Sequence, residues 1–110
     1  ILSILMTVLI LRGAWDVTGR AGHVLMEGAP DGFDVAALRA DLIATVPGVT
    51  DVHHVHAWML TAERPLVTLH VCLASSVEPN AALAAIKTRL RDEFGIAHST
   101  VQIDPADCPD

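Results

Sequence analysis

DVHHVHAWMLTAERPLVTLHVCLA, residues Asp51 to Ala74, decides the fold. It reads as two strands joined by a short turn, and it carries four of the six histidines: His53, His54, His56 and His70. Side chains alternate across a strand. In the second half Val67, Leu69, Val71 and Leu73 therefore form one apolar row, and Thr68, His70 and Cys72 face the other way. In the first half an unbroken strand puts His54, His56 and Trp58 on one side and His53, Val55, Ala57 and Met59 on the other. The connection, Thr61 to Pro65, holds Glu63 and Arg64, and Pro65 closes it without needing a ladder donor.

Working outward, Val35, Leu38, Leu42 and Val46 recur at helical spacing before the hairpin. Asp34 is placed to cap that helix, Phe33 to staple against Leu38, and Pro47 and Gly48 to end it. After the hairpin, Pro79 suits a first helical turn, and Leu83, Ile86, Leu90 and Phe94 make an apolar stripe. Gly95 stands where a helix ends, and Ser99 to Ile103 alternates as a third strand. The order helix, strand, strand, helix, strand predicts an α+β domain, a three-stranded sheet with two helices on one face and the other face open. Roughly 80 residues with a half-covered sheet predict a dimer or a bound ligand.

Upstream, ILSILMTVLIL (residues 1–11) is apolar all round a helix, followed by Arg12, Trp15 and Asp16 as interfacial residues. It reads as part of a transmembrane helix or, alternatively, as a buried or dimer-forming helix. No basic region precedes the run and no small-residue cleavage site follows it, so it does not read as a signal peptide. The expected organisation is residues 1–26 as the remainder of a membrane helix and a membrane-proximal helix, 27–33 as a glycine- and proline-bearing linker, 34–104 as the folded domain, and 105–110 as an acidic tail.

A formal net charge of −6 with only seven basic residues argues against nucleic acid as partner. Two cysteines, Cys72 and Cys108, make no disulfide framework and no CxxC pair, and fit a reducing compartment. An enzyme is not expected. There is no nucleophile–histidine turn, no glycine-rich phosphate loop and no carboxylate pair in a cleft.

The histidines point to metal instead. If His70 marks the open face, then His98, Thr100, Gln102 and Asp104 share that face, and His53 joins them if its strand buries the other parity. Two or three imidazoles with a carboxylate are a ligand set for zinc and other late divalent cations, and Cys108 could add a thiolate. His54 and His56 read as structural histidines hydrogen-bonded within or under the sheet, His23 as an interfacial residue, and Cys72 as a small strand residue.

VLMEGAP (Val24 to Pro30), PGVTDVHHVHAWMLT (Pro47 to Thr61), LHV (Leu69 to Val71) and FGIAHSTVQID (Phe94 to Asp104), with a late Cys108, together resemble the cation diffusion facilitator family, most closely its zinc, cobalt and cadmium efflux branch. The resemblance covers essentially the whole chain. It implies a homodimeric metal/proton antiporter of the inner (cytoplasmic) membrane, with six membrane helices and then a cytoplasmic ferredoxin-like αββαβ domain. Ile1 to about Ala21 would be the sixth membrane helix, and Asp31 onward the cytoplasmic domain. Regulatory Zn2+, or Co2+ or Cd2+, would bind near the dimer interface at His53, His70, His98 and Asp104, with Cys108 contributing. A further family ligand is a histidine where this chain has Gln102. The transported-ion site would lie on the second and fifth membrane helices, outside these residues, so this stretch is not expected to transport by itself. A free-standing metal-binding ferredoxin-like module and a metal-free dimerisation domain are the alternatives, and the apolar run at 1–11 is the discriminator against a soluble carrier.

Overall fold

The structure is a computed structural model and describes residues 1–105. Its elements run α1 (Leu2–Leu25), α2 (Val35–Thr45), β1 (Val49–Thr61), β2 (Arg64–Leu73), α3 (Pro79–Phe94) and β3 (His98–Asp104). From α2 onward the order is the ferredoxin-like αββαβ expected from the sequence. The strands lie in the order β1-β2-β3, with β1 antiparallel to β2 and β2 parallel to β3. A parallel pair cannot be joined by a tight turn, and α3 provides the crossover between β2 and β3.

β2 lies in the middle and sets the layers. Val67, Leu69 and Val71 are at most 1% exposed and pack under α2 and α3 with Leu38, Leu42, Ile86 and Leu90. α2 and α3 begin where their sequence dictates. Asp34 accepts hydrogen bonds from the backbone N–H groups of Ala36 and Ala37, Glu78 from that of Ala81, and Pro79 stands in the first turn of α3. Gly95 closes α3 in the left-handed region at φ 66°. Two details depart from the apolar stripes read in sequence. Val35, on the first turn of α2, is exposed, and α2 buries only Leu38 and Leu42. In α3 the small side chain of Ala82 takes the buried position, while Leu83 is half-buried. The hairpin turn is also tighter than expected: Thr61 pairs with Arg64, and Pro65 already pairs with Met59.

Arg89 of α3 clamps α2. Its Nε and Nη2 donate to the two carboxylate oxygens of Asp41 at 2.8 and 2.6 Å, and Nη1 lies 3.2 Å from Glu93. This bidentate geometry is the strong form of an arginine–carboxylate pair. The Arg89 guanidinium holds the Asp41 carboxyl below its ordinary value, against the upward pull of burial.

α1 stands apart from this core. None of its residues is buried, and its most apolar stretch has a mean hydropathy of 1.4. Twenty-four residues at about 1.5 Å each give a length near 36 Å, enough to cross a hydrocarbon layer of about 30 Å. The helix end is fastened by His23, expected as an interfacial residue: its Nε2 lies 2.9 Å from the carbonyl oxygen of Ala29. From there the Gly28 carbonyl accepts from the N–H of Met59 in β1 at 3.0 Å.

Truncating Leu42 to alanine should cost about 2–5 kcal/mol, read as a lower urea midpoint, because the side chain is wholly enclosed. The Asp41 carboxyl is lowered in the folded state, so its contribution is fully present above about pH 4 and is lost as pH falls through the lower folded value. Replacing Arg89 with methionine should therefore lower the urea midpoint at pH 7, with a gap from the parent that narrows towards pH 3. A gap independent of pH would mean that Arg89 acts through packing rather than charge.

Candidate metal centre

The open face is built outward from β2. His70 pairs with His53 on one side and with Gln102 on the other, and Cys72 pairs with Asp51 and Asp104. Because Val67, Leu69 and Val71 hold one face of β2 in the core, His70 is directed to the other.

β1 does not run evenly beside it. His53 pairs with His70, but the next matched pair is His56 with Thr68, so three steps on β1 span two on β2. The extra residue is a β-bulge, and His54 within it has φ 47°. A left-handed conformation costs an L-residue on the order of 1–2 kcal/mol, although histidine, asparagine and aspartate enter it more readily than most. The bulge resets the alternation. His53 lies on the open face before it and His56 lies there after it, so the strict division of the histidines by odd and even positions does not hold. His54 and His56, expected as structural histidines within or under the sheet, are both exposed.

Three imidazoles meet as a result. The ring of His54 contacts those of His53 and His70 edge-on, with centroids 5.0 Å away in each case, and the His53 and His70 centroids are 5.5 Å apart. One donor atom from each lies within 4.8 Å of the others. Tetrahedral zinc–nitrogen bonds of about 2.0–2.1 Å set nitrogens about 3.3 Å apart, so the donors need to close by at most about 1.5 Å, within the reach of side-chain rotation.

Carboxylates flank these rings, on both nitrogens of His53 and on Nδ1 of His70. Asp104 Oδ2 lies 2.9 Å from Nδ1 of His70 and 3.4 Å from Nε2 of His53, and Gln102 donates to Asp104 Oδ1 at 2.8 Å. Asp51 Oδ2 lies 3.2 Å from Nδ1 of His53, and Arg39 reaches Asp51 Oδ1 at 3.4 Å. The hydrogen bond from Gln102 holds the Asp104 carboxyl below its ordinary value, opposed by burial and aided by His70 and His53. Burial pushes Asp51 up, but the backbone N–H of Val52, with His53 and Arg39, outweighs it and leaves that carboxyl lowered too. Both acids are therefore ionised at neutral pH. A carboxylate against a ring nitrogen fixes an imidazole's orientation and raises its basicity, the support that metal-binding histidines commonly have. The residues present thus fit a late divalent cation.

Of the residues singled out from sequence, His53, His70 and Asp104 come together. His98 does not join them: it pairs with Leu66 at the other end of β3, six residues from Asp104 and so roughly 20 Å along the strand. Cys108 lies outside the described residues. Asp51, Cys72 and His53 also bring donor atoms within 4.8 Å of one another, but the Cys72 side chain has an engagement of its own and is left out of the ligand set. His54 and Asp51 were missed. The adjacent pair His53-His54 was visible, but nothing local marked the bulge that puts both on one face.

Residues 30–106 match the family model of the cation efflux protein cytoplasmic domain. The chain belongs to the cation efflux protein family. It is 40% identical over 108 residues to the zinc transporter ZitB of Escherichia coli, covering 98% of this chain and 34% of that one. To the metal cation efflux system protein CzcD of Cupriavidus metallidurans it is 34% identical over 108 residues, covering 97% and 34%. The chain thus spans about a third of the length of these relatives. Among solved structures, the metal-bound C-terminal domain of the CzcD transporter aligns at a TM-score of 0.60 and 34% identity, covering 66% of this chain and 99% of that one. CzrB, at 18% identity and a TM-score of 0.58, shares the fold.

Replacing Gln102 with leucine should raise the Asp104 carboxyl towards its ordinary value, as followed by carbon-detected NMR titration. An unmoved titration would remove Gln102 as the leading cause of the lowered value.

Proposed function

We propose that this chain is the C-terminal part of a divalent-cation efflux transporter, a metal/proton antiporter, and that residues 34–104 are its metal-sensing and dimerisation domain. The carrying observation is the convergence of His53, His70 and Asp104 on the open face of the sheet. Residues 1–26 are the end of the last membrane helix and its membrane-proximal continuation, 27–33 the linker and 105–110 the tail. The domain then lies on the cytoplasmic side of the inner membrane. The exposed apolar surface of α1 supports this reading over a free-standing soluble carrier, which would leave that surface in water. The family's work is transport of cations, and the domain has no enzymatic role.

Zn2+, Co2+ or Cd2+ suits the donor set, since imidazole and carboxylate together favour late divalent metals. His53 and His70 would hold the ion, with Asp104 either completing the set or fixing the rings. His98 and Cys108 would serve at a second position or across the dimer. Bound metal can close a dimer only through a higher affinity for the closed arrangement than for the open one. Pairing two open sheet faces' rims through such sites would supply that difference and report cytoplasmic metal to the membrane helices.

Zinc titration of the 110-residue chain in detergent micelles, by calorimetry and beside His70→Ala, tests the site. Saturable binding that the variant loses is expected, with a more compact dimer by contrast-matched neutron scattering. Unchanged binding in the variant would sink the site, and unchanged dimer dimensions would sink the sensing role.

A further inference from the structure

The bulge in β1 demands an explanation of its own. The fold does not need His54 in a left-handed conformation: the core on either side is carried by Val52 and by Val55 and Ala57, and a glycine would occupy φ 47° with less strain. Nor does the side chain return anything to the fold. The His54 ring is exposed and, among the described residues, has no hydrogen bond or ion pair; its contacts are the edges of His53 and His70. In an even ladder the residue after His53 would be turned to the helix-backed face. The extra residue delivers a third imidazole to a pair that β1 and β2 already hold in register.

We propose that His54 is a specificity-determining ligand of this centre, and that the bulge exists to convert a two-imidazole, carboxylate-bearing site into a three-imidazole one. The inference rests on the metal site proposed above. Its chemical consequence follows from ligand type. A site of two imidazoles and Asp104 would accept manganese with some ease, because carboxylate and water suit hard cations. Three converging nitrogens favour zinc, cobalt and nickel, which bind imidazole well, and three protein nitrogens with one further ligand match the four-coordinate geometry of zinc. The geometry is open rather than enclosed, since His54 is exposed, so the third nitrogen can move onto the ion as it arrives.

This assigns His54 opposite effects on stability and on binding, which a structural histidine would not have. The test is His54→Gly, with His54→Asn as a second variant that keeps a residue tolerant of positive φ, both made in the 110-residue chain in detergent micelles. Thermal unfolding in the presence of chelator should occur at the parent's temperature or above it in the glycine variant. Zinc affinity by calorimetry should fall at least about tenfold in both variants, as expected when a metal site loses such a group. The zinc-over-manganese preference should shrink, and the visible absorption of bound cobalt should weaken as the site departs from a four-coordinate nitrogen-rich set.

His70→Ala is measured alongside to separate this inference from the site itself. If His70→Ala abolishes zinc binding while both His54 variants bind zinc and discriminate against manganese as the parent does, the site stands and His54 is not a ligand. If neither position affects binding, the site and this inference fail together. A metal-free glycine variant that unfolds well below the parent, with zinc affinity intact, would show that the bulge histidine serves the fold and would overturn the proposal.

Discussion

The central strand cannot be turned over. Val67, Leu69 and Val71 are enclosed beneath two helices, and a slip of one residue in β2 would bring His70 and Thr68 into that apolar layer and expose the valines. Burying an imidazole without a partner costs free energy, and losing three core side chains costs more. Everything on the open face inherits its position from this constraint. β1 and β3 are registered against β2, so His53, Gln102, Asp51 and Asp104 are brought around His70 by the backbone ladders before any side chain chooses a rotamer.

Around that anchor the polar groups arrange themselves as a supported cluster. Asp104 is shared between two rings and is itself held by Gln102; Asp51 backs His53 and is faced by Arg39. The ion pairs at the rim, such as Arg39 with Asp51, are half-exposed and contribute at most about 1 kcal/mol. Their value to the site is orientation. By contrast, the Asp41–Arg89 clamp lies between the two helices on the far side, and it steadies the layer that fixes β2 without touching the candidate centre.

α1 obeys a different rule. Its apolar residues are distributed all round and meet no core, so neither the sheet nor the two packed helices can account for its composition. By length and composition it is long and apolar enough to cross a membrane. The link from this helix to the domain is short and specific, with His23 against Ala29 and the Gly28 carbonyl accepting from Met59 on the edge strand. The edge strand β1 is thus joined to the end of α1 through the backbone of Gly28.

The order of elements, the cap at Asp34, the helix start at Pro79, the stop at Gly95 and the buried row of β2 were legible in the residues themselves. Each depends on local rules: helical spacing, a side chain that can accept from a first-turn N–H, a glycine that tolerates positive φ, and the two-residue period of a strand. The same period identified His70 and Asp104 as sharing a face. It also assigned His53 and His54 to opposite faces, and there it failed. Whether a strand carries one residue more than its neighbour is settled by pairing between segments, not by either segment alone, so the bulge, the exposure of His56 and the meeting of three imidazoles were decided only in the tertiary structure. The separation of His98 from the cluster has a related reason, because a shared face places residues on one side of a sheet but distance along the strand decides which of them can touch.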